Sequence, residues 1–387
     1  MGSNPITKML YLLKRSIIIF FTKNPYRIDN FANVFRDQGL SIDRPETLNF
    51  ILSYEHGDGF RYMRNAQSYG NQPKHRTIKN KDRFVGDVIF KAPDRTVYSV
   101  SNGSIFGQLG LVFSAEKRAY ILESTQEWTV DLKYSKLTNI VKFPKREMID
   151  GVVFSLLTNG ADGGFFHFIL ESLPKLALYK PFLAKDAKIL INGPCTEWKI
   201  KWLLLAGVSE SDIVWVTNTS HYKCKQLIFS NRIVADQQVN PWAIAVLRKL
   251  LTLSSGKLGV NKKIIWLSRA KEKSRHILWE EHILSSLPMI QKIDLALYNC
   301  EDTIKTMQSA THVIAPHGAA LCNVLFCCKG TKVLELFELN TFYQPCYSRL
   351  SSLCELDHHV ASLDFVDQQN DTNGNSHLRE ILEQFLC

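Results

Sequence analysis

The chain has 387 residues, 45% of them hydrophobic and 22% charged, with a formal net charge of +10. That composition excludes a disordered or low-complexity chain, and the length exceeds one ordinary core of about 100–150 residues, so two domains are expected. The basic excess points to an anionic partner (nucleic acid, a membrane surface or a phosphorylated small molecule) without choosing among them.

Residues 1–84 carry mixed charge and few periodic signals and read as an irregular N-terminal extension. Within it, the apolar runs 9–13 and 17–21 are interrupted by Lys14 and Arg15. A membrane span needs about 20 continuous apolar residues. The expectation is therefore a helix lying on protein or on a membrane surface, the latter giving peripheral association. No later segment is long enough to span. The basic run 74–83 (KHRTIKNKDR) reads as a solvated loop or as a contact with anionic lipid or a charged acceptor. It lacks the interleaved aromatics of a nucleic-acid-binding surface, so no nucleic acid is expected as partner. Nine cysteines without a C-x-x-C pair suit free thiols in a reducing cytoplasm, and no metal or other cofactor is expected.

From about residue 85 the pattern changes. Short β-type runs at 88–90, 97–100, 111–114 and 118–122 predict a meander. A helix follows over 165–178, with Phe165, Phe168, Ile169, Leu173, Leu176 and Ala177 near helical period and Pro174 as a kink or a new first turn. Next come a strand at 188–191, a helix at 197–205 ended by Gly207, strands at 213–216 and 226–230, and a helix at 242–253. Such alternation predicts a parallel α/β sheet. Residues 254–262 (SSGKLGVNK) read as a linker. A second alternating unit then runs through strand 264–267, helix 278–287, strand 292–297, helix 301–309, strand 311–315, helix 319–326 and strand 332–337. In a doubly wound unit of this kind a ligand sits at the carboxyl ends of the strands. The expected division is 1–84, 85–254 and 255–387.

Three segments carry candidate chemistry. In 312–323 (HVIAPHGAALCN) an apolar strand runs into Pro316, His317, Gly318, Ala319 and Ala320, and small residues at a helix start let a diphosphate approach unpaired amides. His317 can donate to a phosphate or a ribose, and Asn323 anchors the loop. The other reading is an ordinary tight turn with a structural histidine. In 264–281, Arg269 follows a strand and Arg275 comes six residues later; the guanidinium fork matches phosphate geometry. In 162–175, His167 and Glu171 lie four apart on one helix face and could orient each other for general-base work, with Asp162 a further candidate, or could be a surface pair without catalytic consequence.

Taken together these segments resemble glycosyltransferase family 61, the DUF563 group that includes capsular-polysaccharide-type proteins. The first-domain pattern of a His, an aromatic and an acidic residue before Leu-Pro-Arg reads here as His167, Phe168, Glu171, Leu173, Pro174 and Lys175. The paired arginines followed by Asn-Glu correspond to Ser268-Arg269, Arg275 and Trp279-Glu280. The His-Gly-Ala-Ala/Gly-Leu-x-Asn pattern matches 317–323, Leu325-Phe326 fits as well, and the strand ending in Glu matches Val333-Leu334-Glu335. The similarity covers about 85–350. Trp279 stands where an Asn is usual, and Thr303 where a Gln is usual.

The resemblance implies a GT-B-like α/β fold, two Rossmann-like doubly wound domains facing a cleft, with 85–254 on the acceptor side and 255–387 binding the nucleotide sugar. It implies an inverting transfer from a nucleotide sugar, with UDP-sugar expected, to a glycan or glycolipid hydroxyl in polysaccharide or glycoconjugate biosynthesis. The chain has no Asp-x-Asp triplet, so arginines and a helix end would stabilise the departing diphosphate without metal. The expected donor-side residues are Arg269, Arg275, His317, Gly318, Ala319, Ala320, Asn323 and Glu335, the last through hydrogen bonds to the sugar or ribose. Glu171 or His167 is expected as base, with Asp162 behind them. The rivals are a polysaccharide-modifying transferase such as a pyruvyltransferase, and a non-catalytic anion- or nucleic-acid-binding protein.

Overall fold

The structure is a computed structural model. It describes residues 95–114, 119–126, 143–182, 186–233, 239–251, 263–272, 274–338, 346–363 and 372–386, with short pieces at 9–10, 13, 27–29, 67–70, 74–75, 342–343 and 365. The expected strand 88–90, most of the basic run and the linker 254–262 lie outside these residues. The chain divides into two compact units, one of Met1–Leu52 and Ala92–Ala243, the other of Ser53–Lys91 and Ile244–Cys387.

The first strands are β1 (Arg27–Asp29), β2 (Gln67–Gly70), β3 (Lys74–His75), β4 (Val97–Ser101), β5 (Ser104–Phe106), β6 (Leu111–Ser114) and β7 (Ala119–Ile121). They continue with β8 (Glu147–Ser155), β9 (Lys188–Asn192), β10 (Ile213–Val216) and β11 (His221–Ser230). The remainder are β12 (Lys263–Leu267), β13 (Ile290–Ile293), β14 (Ala310–Pro316), β15 (Lys332–Glu338), β16 (Phe342–Tyr343) and β17 (Asp357–Leu363).

The first unit is built on a nine-stranded mixed sheet. Its parallel part runs β11-β8-β9-β10, and the expected meander, β4 to β7, joins the same sheet through antiparallel pairing of β4 and β5 with β11. Strand β8 escapes pattern reading because Asp150 and Gly151 interrupt its apolar run; Gly151 has φ +95, a backbone that favours glycine. Val153, Leu157, Leu190, Leu227 and Phe229 form the core of this sheet.

The predicted helix 165–178 is present but broken. Phe165–His167 is α-helical, Phe168–Ser172 makes a π turn with Leu173 N–H bonded to the Phe168 carbonyl at 3.0 Å, and Lys175–Tyr179 resumes as α-helix. Pro174 explains the break, since it has no N–H to continue an α-helical ladder.

The second unit carries a six-stranded sheet in the order β13-β12-β14-β15-β17-β2, with every pair parallel. The apolar runs of β12, β14 and β15 suit strands covered on both faces. Helices Glu280–Ser285, Cys300–Ser309 and Cys346–Leu353 lie along the crossovers, and Thr372–Leu386 buries Leu378, Ile381, Leu382 and Phe385 against the sheet. That spacing of 0, 3, 4 and 7 is an amphipathic stripe.

One expectation is corrected here. The strand near 292–297 ends at Ile293, because the Asp294 carboxylate accepts from Ala296 N–H at 3.1 Å and turns Leu295–Leu297 into a 3-10 helix. The expected helix 319–326 is present as a 3-10 helix, with Asn323 Nδ2 donating to the Ala320 carbonyl at 2.9 Å. Side-chain bonding of that kind competes with the α-helical ladder.

Among the described residues, no helix is long and apolar enough to cross a membrane. Met9, Leu10 and Leu13 are exposed.

Candidate active site

In the second unit the chain leaves β12 for β13 on one side and later returns to β14 on the other. The crevice beyond the carboxyl ends of β12 and β14 is therefore the topological switch point, where doubly wound sheets hold their ligands. Arg269 lies two residues past β12, and His317 and Gly318 follow β14 directly. The two segments touch. A Cβ added to Gly318 would lie 2.0 Å from an Arg269 guanidinium nitrogen and 2.7 Å from its central carbon, so glycine is what lets the guanidinium lie on that backbone.

Arg269 is only 8% exposed, yet its buried Nε has no partner and its NH2 makes one long bond, 3.4 Å, to the Ser274 carbonyl. Burial lowers its pKa from the usual arginine range, and the neighbouring Arg275 charge lowers it further, while Glu272 and Tyr347 act the other way. Arg275 itself is exposed and sits at φ +56, in the left-handed region. A buried donor without a partner beside a second cation is costly until an anion arrives.

Glu280, 2% exposed, fixes the approach to this arginine. It accepts from Trp266 Nε1 at 2.8 Å and Ser268 Oγ at 2.7 Å, and pairs with Lys292 at 2.6 Å.

His317 is held on its other side. Its Nδ1 meets Glu335 Oε1 at 2.5 Å, its ring stacks on Phe337 at 4.8 Å, and Tyr347 approaches edge-on at 5.3 Å. Glu335 is fully buried, and its second oxygen takes His358 Nε2 at 3.1 Å. Burial alone would raise the Glu335 carboxyl; His317 and His358 hold it below the usual carboxylate value. Glu335, expected to bind sugar directly, has both oxygens engaged by protein.

Ala319 and Ala320 are half-buried at the start of the 3-10 helix, whose first turn closes with Leu321 N–H on the Gly318 carbonyl at 2.9 Å. Their amides precede that bond and are the orphan donors of a helix start. Asn323 is buried with its Oδ1 unpartnered. Trp279 belongs to the apolar core of this unit, its indole N–H unpartnered, and Thr303 is buried on the helix Cys300–Ser309.

In the first unit His167 Nδ1 meets Glu171 Oε1 at 2.9 Å; the Glu171 side chain is 4% exposed and that of His167 17%. The segment is anchored from beneath by a buried lysine. Lys175 Nζ donates to the Leu157 carbonyl at 2.7 Å, Thr158 Oγ1 at 2.9 Å and Gln126 Oε1 at 3.0 Å. Thr158 N–H donates to Asn192 Oδ1 at 2.9 Å, and the Asn192 carbonyl accepts from buried Lys199, which also bonds the Asp162 carbonyl at 2.7 Å. These lysines therefore shape the loop that presents Asp162, whose own side chain is exposed.

Burial pushes the Lys175 pKa down to about 7, the Glu171 charge opposing the shift. An unfolded lysine titrates near 10.4, so between about pH 7 and 10 the unfolded chain binds more protons and stability rises with pH. Relative to Lys175→Met, the parent protein should gain up to about 1 kcal/mol per pH unit from pH 7 to 9. Denaturant unfolding of both proteins at several pH values measures this, and a constant difference would show that Lys175 stays charged.

Among the described residues, no group of three or more His, Cys, Asp or Glu side chains is arranged to hold a metal ion. Sequence reasoning missed His358, Ser351, Tyr347, Lys199 and Gln126. Each acts through a contact made across strands or between distant loops, for which local spacing carries no signal.

The second unit is a doubly wound parallel α/β structure with a buried arginine at its switch point. Residues 165–334 match the family model described as Glycosyltransferase 61. That match supports glycosyltransferase family 61, whose members use a sugar donor and an acceptor. The matched stretch holds His167, Glu171, Arg269, Arg275 and 317–323, and ends one residue before Glu335. No curated protein matches the chain.

Proposed function

We propose that this protein is a glycosyltransferase, an inverting, metal-independent enzyme of GT-B type that takes a nucleotide sugar, UDP-sugar first among them, and transfers the sugar to a hydroxyl of a glycan or glycolipid in polysaccharide or glycoconjugate assembly. The observation that carries the reading is Arg269: a buried guanidinium with an unpartnered Nε, lying on Gly318 at the switch point, beside Arg275. The proposed diphosphate site comprises Arg269, Arg275, His317 and the amides at Gly318, Ala319 and Ala320, with Asn323 shaping the turn. As the glycosyl bond breaks, charge grows on the leaving diphosphate, and donors already aimed there stabilise it without reorganising. The acceptor proton goes to His167, oriented by Glu171, with Asp162 the alternative base; of the first pair His167 is the more exposed, and Glu171 supports it from within. Among the described residues, eight cysteines are free thiols, and a reducing, cytoplasmic setting is part of the reading.

The test is protection from thermal unfolding together with donor hydrolysis across a panel of UDP-, GDP-, CMP- and dTDP-sugars, with phosphoenolpyruvate alongside. A ligand at 100 times its Kd adds about 2.7 kcal/mol to stability. Protection by a nucleotide sugar and its nucleoside diphosphate is expected. Protection by phosphoenolpyruvate alone, or by none of them, would overturn the reading.

A further inference from the structure

The contact between His317 and Glu335 continues inward along a route that no local motif announces. Glu335 pairs with Val360 in the β15–β17 register, so His358, two residues before Val360, lies on the same sheet face. His358 Nε2 meets Glu335 Oε2 at 3.1 Å, and its Nδ1 lies 2.8 Å from Ser351 Oγ on the helix Cys346–Leu353. All members of this chain are buried: His358 is 2% exposed, Glu335 and Ser351 not at all.

We propose that His358 is a positioning residue of the donor site, which through Glu335 holds His317 by its Nδ1 edge and leaves the Nε2 edge of that ring to the diphosphate. The inference rests on the donor-site reading above.

The proton assignments are mutually consistent. An ionised Glu335 can only accept, so the His358 proton belongs on Nε2, and the Ser351 hydroxyl then donates to Nδ1. The Nε2–H donates to one Glu335 oxygen, and His317 Nδ1–H donates to the other. A carboxylate taken fully out of water is tolerated only when its oxygens are satisfied, and here two imidazoles do so. A carboxylate so held fixes which nitrogen of the His317 ring faces outward.

The surrounding groups are few. Tyr347 faces the His317 ring, and Arg269 lies against the adjoining Gly318. Cys346 and Tyr347 face Glu335, burial keeping both protonated, and His359 neighbours His358. Arg275 and Cys322 reach this group through Tyr347.

Removing the His358 donor leaves Glu335 held by His317 alone, so the His317 ring is no longer locked with its Nδ1 edge inward. UDP affinity should fall by about 10-fold, the size of one hydrogen bond to a charged group. The experiment reads the tautomer of the histidine side chains by nitrogen NMR without ligand in the parent, His358→Phe, His358→Gln and Ser351→Ala proteins, with UDP affinity measured on the same proteins.

In His358→Phe the His317 signals should move from a single Nδ1–H form to a mixture of tautomers, and UDP affinity should fall with them. His358→Gln, whose amide N–H can still donate to Glu335, should stay near the parent. Ser351→Ala should shift in the same direction by less. An unmoved His317 tautomer signature in His358→Phe, or in Ser351→Ala should the first variant not fold, would overturn the inference and leave the donor site standing. Equal shifts in the Phe and Gln variants would reduce His358 to packing and overturn it too. A parent protein that binds no UDP would overturn the donor-site reading and the positioning role with it.

Discussion

Arg269→Ala should lower turnover by roughly 10²-fold or more, the usual cost of removing one charge-stabilising donor from a transition state. The expectation follows from the burial of this guanidinium and from its missing partner: the group is held at the switch point at a cost to the folded protein that an anionic ligand would offset. Because the interaction grows as charge develops on the leaving diphosphate, the loss should fall on kcat more than on KM for the donor. The variant should also be at least as stable as the parent, since an unsatisfied buried donor is gone.

Gly318→Ala provides an independent check. Its Cβ would overlap the guanidinium, so Arg269 must move although its chemistry is intact. Steady-state kinetics of both variants with a donor accepted by the parent decides the matter. Near-parental kcat in Arg269→Ala would falsify the diphosphate role, and Gly318→Ala should then also be near normal.

The second large effect concerns the proposed base. His167→Ala should reduce kcat by about 10²- to 10⁴-fold, the range for positioned general bases, while donor hydrolysis by water and UDP binding fall far less. Glu171→Gln should cost less than His167→Ala, because glutamine keeps an oxygen that can accept from Nδ1 but loses the charge that favours an imidazolium. If His167→Ala transfers sugar at the parental rate while Asp162→Asn does not, the base is Asp162. If both transfer normally, the first unit supplies no base among these residues.

Much of this is legible in the order of residues. The alternation from 188 onward, with apolar runs separated by Gly, Asn and Asp, marks most strands and helices of both sheets, because buried parallel strands need continuous apolar stretches and crossovers need amphipathic ones. Strands with polar content did not show. Strand β17 begins Asp-His-His, and β8 is interrupted by a glycine at positive φ; both are held by sheet neighbours rather than by their own pattern. Helix type was also out of reach. Residues 319–326 have helical composition, but the Asn323 side chain and the extended Gly318 select a 3-10 geometry.

The candidate site divides the same way. A strand followed by Pro-His-Gly-Ala-Ala, and an arginine two residues beyond another strand, announce themselves locally, since backbone approach requires small residues and phosphate favours arginine. That these segments meet is a consequence of sheet order: β12 and β14 become neighbours only because β13 is placed on the far side of β12. The sequence by itself determined the residue types for an anion site and the α/β alternation that carries them. Tertiary structure alone decided that Arg269 rests on Gly318 with its Nε unpartnered, and that Glu335 turns inward between His317 and His358. It also brought a lysine, Lys175, beneath the His167–Glu171 pair without an exposed path to water. The physical reason is that burial and register set these contacts. Both depend on partners tens of residues apart, and local propensity carries no record of which strand will lie beside which.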